Sequence, residues 1–367
     1  MTRASILTSR ERVNRMFARR DHDRVPCFET FWPETPDRWI REGLDAAGRD
    51  EAIQHVYDRL GADLQWICWH WPHPHPGRNE VIGEDEQTRV TRGPSGTIER
   101  FWKNKSGTPE HLGWECDSRD VWENNYKPAM LGQEVVIDLE GARERFEKAA
   151  RNHLWGYFAG VSAFEVIRKI LGDEMFMLTL IDDPEWIGDI AVTATDNSLR
   201  NFQVLLDAGI RPDGLWIYDD MAFKTMTFCS PAMYREIIWP QHRRLAEFAH
   251  RNGMKIIFHS DGDLRRVIPD LIEAGFDCLQ PLESKAGMDV RKLAPEYGRE
   301  LAFFGNIDVM KLVTNDLELI EQEISSKLAA GKAAKGYIYH SDHSIPPQVS
   351  WATYQQLIRF VQTYGQY

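Results

Sequence analysis

The sequence predicts a TIM-type (β/α)8 barrel, an α/β fold, on three observations. Eight short apolar runs recur along 367 residues, each followed by a polar turn and then by a segment of helical periodicity. The runs are continuous rather than alternating, the pattern of strands buried on both faces, as in a parallel sheet. The alternative, a doubly wound open sheet, lacks its Gly-rich phosphate fingerprint after the first run.

The expected strands, in order, are "RVPCFETFW" from Arg24, "ADLQWICWHW" from Ala62, "LWGYFAG" from Leu154 and "GLWIYDD" from Gly214. "KIIFHSD" from Lys255, "FDCLQPLE" from Phe276, "LAFFGNID" from Leu301 and "GYIYHSD" from Gly336 complete the eight. Between them, a helix starts at Ser230-Pro231 and stops at Gly253; others end at Gly275 and Gly331. An amphipathic helix is expected near the N-terminus, within "MTRASILTSRERVNRMFARRDHDRVPC". Residues 79–128 alternate like an exposed antiparallel hairpin with Gly turns. They read as an insertion after strand two, over the mouth of a barrel that otherwise forms one domain from 1 to 367.

A formal net charge of −12 argues against nucleic acid and anionic membrane as partners. Cys27, Cys68, Cys116, Cys229 and Cys278 are scattered, with no CxxC pair, so neither a disulfide framework nor a thiolate zinc knuckle is expected. No run approaches the roughly 18 apolar residues of a membrane span, and the N-terminus does not read as a signal peptide. A cytoplasmic monomer or homodimer is the expectation.

Strand C-termini of such a barrel converge on the face that carries the active site. Here they are polar: Glu29 or Glu34, then His70, His73 and His75, Asp219 with Asp220, His259 with Asp261, Glu283, Asn306 with Asp308, and His340, Asp342 and His343. Plainer readings stand beside this one. Asp263 is placed to cap a helix beginning at Leu264, His73 and His75 fit a solvated Pro-rich loop, and Asp219-Asp220 could be a buried hydrogen-bonding pair. His-x-Asp puts His259 and Asp261 on one side of an extended segment. With Asp342 or His343 they would form a metal set open to zinc, iron or manganese, or an acid–base wall without metal.

The C-terminal half, with "YDDMAFKTMTFCSPAMYREIIWPQHRRLAEFAHRNGMKIIFHSDGD", "LIEAGFDCLQPLESKAGMDV", "YGRELAFFGNID" and "YIYHSDHSIPPQVS", resembles the uroporphyrinogen decarboxylase superfamily. Weaker agreement extends to "SRERVNRMFARRDHDRVP". The resemblance implies a TIM-type barrel and either of two chemistries: cofactor-free decarboxylation, or methyl transfer with a corrinoid protein at a zinc held by His-x-Cys and a distant Cys. The decarboxylases' arginine-rich segment is replaced by "CFETFWPET", which has no arginine and the wrong sign for a substrate with many carboxylates. His343 matches the histidine of their Gly-His-Gly-Ile-Pro motif. His259 matches the methyltransferase histidine, while Asp261 stands where the first cysteine would be and Asp342 or His343 near the second.

The resemblance therefore implies a methyltransferase-like enzyme moving a methyl group from a small O-methyl substrate, such as an aromatic ether, to a corrinoid carried by a partner protein. No Asp-x-His-x-x-Gly segment is present to supply a corrinoid ligand from this chain. Expected at the chemistry are His259, Asp261, His343 and Asp219, with a possible zinc on His259, Asp261 and Asp342. Trp32, Trp69, Trp71, Asp220, Glu283, Asn306 and His340 are expected around the substrate. The alternatives are a decarboxylase of a smaller carboxylated substrate, with His343 or Asp219 supplying the proton, and a non-catalytic barrel that binds ligands or a corrinoid protein.

Overall fold

The computed structural model describes residues 7–132 and 137–367. Seven strands form one parallel sheet in the order β1 (Leu64–His70), β6 (Trp155–Val161), β7 (Gly214–Tyr218), β10 (Lys255–His259), β11 (Cys278–Gln280), β12 (Ala302–Phe304) and β13 (Tyr337–Ile338). These correspond to seven of the eight apolar runs. The first run is not a regular strand, yet its backbone joins both edges of the sheet. The Phe28 N–H donates to the Tyr339 carbonyl at 3.0 Å, and the Asp63 N–H, next to β1, donates to the Cys27 carbonyl at 2.8 Å. That segment is the eighth stave.

Two cores follow from the period-two pleat. Residues pointing inward from successive strands, Phe28, Leu64, Tyr157, Trp216, Ile257, Cys278, Phe304 and Ile338, pack together inside the curl. The helix Ser9–Phe17 closes its lower end with Val13, Met16 and Phe17, and the Trp155 indole N–H donates to Asn14 Oδ1 at 3.2 Å. Residues 1–6 of the expected N-terminal helix lie outside the described residues. A larger core forms between the sheet and the surrounding helices.

The segment expected as a hairpin is a four-stranded antiparallel sheet, β2 (Glu80–Glu84), β3 (Thr88–Arg92), β4 (Thr97–Trp102) and β5 (Glu110–Trp114). Each reversal sits where the chain carries polar or Gly residues, so two Gly turns undercounted the strands. The loop before it is not solvated as expected: His73 stacks on Trp71 with ring centroids 5.3 Å apart and bonds Ser95 Oγ at 2.8 Å, tying the insertion to the barrel. Burial pushes the His73 imidazole down to about 3. A short ribbon, β8 (Ala222–Phe223) and β9 (Met226–Thr227), follows β7.

Two helix ends differ from expectation. The helix Leu317–Ala334 runs through Gly331 instead of stopping there. A Cβ at Gly331 would meet Tyr337 Cγ at 2.4 Å, so the glycine answers to packing, not to chain reversal. Asp263 does not cap a helix at Leu264. Its carboxylate pairs with Arg265 at 2.6 Å, and the helix begins later, at Ile268. Among the described residues no helix is long and apolar enough to cross a membrane.

Candidate active site

Counting by two from the inner core along each strand reaches the site. Trp216 leads to Tyr218, Ile257 to His259, Cys278 to Gln280, Ile338 to His340 and Phe28 to Thr30. These residues, with Asp261, Pro281, Asp342, His343 and Ser344, line one cavity of about 150 Å³ at the C-terminal end of the strands. Neither lysine nor arginine is among them. The wall is aromatic as well as polar: Tyr218 lies 5.3 Å from Trp216 and 4.4 Å from the His259 ring, and the half-exposed Trp69 stands 4.9 Å from Tyr218 at the rim.

At the centre, ligand atoms of His259, Asp220 and Asp261 lie within 4.8 Å of one another. His259 Nδ1 bonds Gln280 Oε1, which fixes the proton on Nδ1 and turns Nε2 toward Asp220 Oδ1, 3.4 Å away. Burial opposes charge on this imidazole, but Asp220, Asp261 and the Gln280 carbonyl outweigh it and raise it to about 9. Asp220, despite its burial, is held below the usual carboxylate range by His259, by the Asp261 N–H it accepts at 3.0 Å and by Arg168. Asp261 is pushed up by burial and by Asp220, against the pull of His259 and of His343 Nε2, 3.5 Å away. Its Oδ1 is buried and has no hydrogen-bond partner among the described residues.

These features fit a metal ion. A nitrogen and two carboxylates offer an N/O donor set, the imidazole is oriented through its other nitrogen by an amide, and one carboxylate oxygen lacks a partner. The expected third ligand, Asp342, is not in this group. Its oxygens accept the Ser284 and Val309 N–H groups, both at 2.9 Å, and so clamp two loops. Asp220, expected at the substrate, takes the place beside His259.

Several other expected site residues are structural. Asp219 is fully buried, with Oδ1 accepting the Glu165 N–H at 2.7 Å and Oδ2 accepting from His242 Nε2 at 2.7 Å. It tethers the start of the helix Ala163–Leu171 to the helix Trp239–Arg251, because its place in the pleat points out of the barrel. Asn306 binds the Leu282 carbonyl and the Val290 N–H across the loops after β11 and β12, and Glu283 accepts the Gly262 N–H at 2.7 Å. His70 faces outward, bonding Asn197 Oδ1 at 2.9 Å, and burial pushes it down to about 4. Trp71 packs against the outer core and His73, and half-buried Trp32 does not line the cavity.

His340 and His343 do line the cavity, with Glu29 behind His340 at 3.5 Å. Burial raises Glu29 to about 8 in spite of the Ser341 hydroxyl and the amides that bond it, and lowers His340 to about 4. Sequence reasoning missed Thr30, Trp216, Tyr218, Gln280, Pro281 and Ser344. All but Pro281 and Ser344 were accessible by carrying the period-two count from the apolar core to the strand ends.

The chain resembles known proteins in sequence and in structure. The uroporphyrinogen decarboxylase (URO-D) family matches residues 161–364, more than half of the chain. A methyltransferase from Methanosarcina mazei superposes with a TM-score of 0.67 at 18% identity, covering 98% of this chain and 99% of that one. A protein described as a vitamin-B12-independent methionine synthase, from Listeria monocytogenes, reaches a TM-score of 0.43 at 10% identity over 93% of this chain and 99% of its own. No curated protein matches the sequence. A (β/α)8-type curl with its polar cavity at the strand C-termini and a family match spanning β7 to β13 lead to one conclusion: the chain belongs to the uroporphyrinogen decarboxylase (URO-D) family.

Proposed function

We propose that this protein is an enzyme that transfers a methyl group from a small O-methyl substrate to a corrinoid carried by a partner protein. The observation that carries the reading is the His259–Asp220–Asp261 group, set above a small aromatic cavity free of lysine and arginine. Such a cavity suits a neutral methyl donor. A decarboxylase would need a cation to hold its substrate's carboxylate, and the lining offers only imidazoles for that task.

His259 Nε2, Asp261 Oδ1 and Asp220 would hold a zinc ion. The metal, when bound, polarises the atom that leaves the methyl group, and the corrinoid supplies the nucleophile. This chain's residues do the remainder. Gln280 keeps the imidazole of His259 in one tautomer and orientation. Tyr218 and Trp69 present an aromatic face beside the reacting end. As the C–O bond breaks, the leaving oxygen keeps the electron pair and needs a proton. His343, partly exposed and 3.5 Å from Asp261, is placed to bring one from solvent.

The test uses 4-methoxyphenol as donor and chemically reduced cobalamin as acceptor, with release of hydroquinone followed by chromatography. Hydroquinone formed by the wild type and reduced at least about 100-fold in His259→Ala supports the reading. Cobalamin-independent release of CO2 from 4-hydroxybenzoate, with no hydroquinone from the ether, overturns it in favour of a lyase.

A further inference from the structure

The staves set the two ends of the cavity on opposite sides of the barrel. His259 ends β10, and the stave carrying Thr30 is the fourth neighbour of β10 in either direction around the ring of eight. Thr30 and Ser344, both half-buried, line the cavity at that second end. Backbone pairing holds them side by side: the Ile345 N–H donates to the Thr30 carbonyl at 2.9 Å, and the Trp32 N–H to the Ile345 carbonyl at 3.1 Å. Their hydroxyl oxygens are 3.0 Å apart.

The direction of the hydrogen bonds at this end follows from counting protons. His340 Nδ1 meets the Ser341 carbonyl, which only accepts, so Nδ1 carries the ring proton and Nε2 is an acceptor. Burial keeps this imidazole neutral, lowering it to about 4. Two groups stand near Nε2, the Thr30 hydroxyl at 3.3 Å and Glu29 Oε1 at 3.5 Å. The proton of the buried Glu29 is engaged elsewhere. The Ser341 hydroxyl lies 2.7 Å from Glu29 Oε1 and 2.6 Å from the His343 carbonyl oxygen, and it has a single proton to give. That proton goes to the carbonyl, so the neutral acid donates to Ser341 Oγ. Thr30 is left to donate to His340 Nε2, and Ser344 donates to Thr30. Both hydroxyl protons are engaged within the protein, and only oxygen lone pairs remain for a ligand.

We infer that Thr30 and Ser344 are specificity-determining residues: their hydroxyl oxygens accept a hydrogen bond from a hydroxyl or amino group at the end of the substrate remote from the methyl group. This rests on the reading of the cavity as the substrate site. The methyl-bearing end lies at His259, across the barrel from Thr30. The cavity, about 150 Å³, admits a benzene-sized ring between them. The substrate class is then a small neutral ring with a methoxy group at one end and a hydrogen-bond donor at the other. A ring whose far end only accepts finds no donor in this hydroxyl pair.

Binding calorimetry on the purified full chain at neutral pH tests the inference with three uncharged probes. 4-Methoxyphenol and 4-methoxyaniline carry a donor opposite the methoxy group; 4-fluoromethoxybenzene is of similar size and carries none. The wild type is expected to bind both donors about ten-fold more tightly than the fluoro compound, the worth of one buried hydrogen bond. In the double variant Thr30→Val with Ser344→Ala, which removes both oxygens and keeps the lining nearly in shape, the contrast should vanish. Equal affinities in the wild type, tighter binding of the fluoro compound, a contrast that survives in the double variant, or no binding of any probe overturns the inference. The wild-type comparison needs no variant, so it decides even if the double variant fails to fold. A contrast that holds while 4-methoxyphenol yields no hydroquinone with reduced cobalamin sinks the proposed reaction and leaves this assignment standing.

Discussion

Glu29 and His340 make stability depend on pH in a narrow window. Glu29 is fully buried and raised from 4.5 to about 8, so the folded state keeps a proton that the unfolded chain has lost. Stability from this group is present at low pH and lost as pH rises between those values. His340 is lowered from 6.5 to about 4, so there the unfolded chain holds the extra proton, and stability rises with pH over that range. The two slopes cancel between pH 4.5 and 6.5. Of these two groups only Glu29 still contributes above 6.5, and 1.5 pH units at 1.36 kcal/mol each give a loss of about 2 kcal/mol from it by pH 8. Glu29→Gln keeps the shape of the protonated acid and cannot ionise. Urea unfolding of both proteins between pH 6.5 and 8, with the difference taken at each pH, removes the contribution of every other group. The wild type should lose about 2 kcal/mol relative to the variant across that interval. Parallel curves would mean that Glu29 is already ionised in the folded protein, and the description of the cavity's back wall would be wrong.

Asp219→Asn should lower stability by about 3 kcal/mol, through loss of the buried contact with His242 and of an acceptor for the helix amides, while turnover per folded molecule stays within about two-fold. A large loss of turnover with stability unchanged would return Asp219 to the active site. Gly331→Ala lies inside a helix, where alanine ordinarily stabilises by about 1 kcal/mol. Here the Tyr337 ring stands in the way, and the thermal midpoint should fall by the equivalent of about 1–3 kcal/mol. A rise in the midpoint would contradict the close approach of this helix to β13. Gln280→Ala frees the His259 ring, so metal affinity should drop about 10–100-fold in a competition with a chromophoric chelator; an unchanged affinity would remove Gln280 from its orienting role.

Much of this site could be read from sequence because the two periodicities of a barrel are strict. Continuous apolar runs gave the strands, and the polar residues that end them gave His259, Asp261, His340 and His343, all of which meet in one cavity. The errors come where the period is broken or was not applied. Asp219 and Asp220 are adjacent, so the pleat sends one outward to His242 and the other toward His259, and counting from Trp216 through Tyr218 selects Asp220. The count fails after β12, where Gly305 and Asn306 both take positive φ, 113° and 78°, and the turn carries Asn306 away from the cavity. An irregularity between Trp66 and Cys68 shifts the phase of β1, which is why Trp69 reaches the rim while His70 faces outward. The first stave escaped regular strand pairing, although its apolar residues correctly marked its place between the sheet edges.

If His259, Asp220 and Asp261 act together on the atom that leaves the methyl group, they share one metal ion. Elemental analysis of protein purified without a histidine tag, in parallel with His259→Ala and Asp220→Ala, measures this. Near-stoichiometric zinc or another transition metal in the wild type, lost in both variants, is the predicted result. Metal retained in either variant, or metal absent from all three proteins, would contradict the ligand set and leave these residues as an acid–base wall.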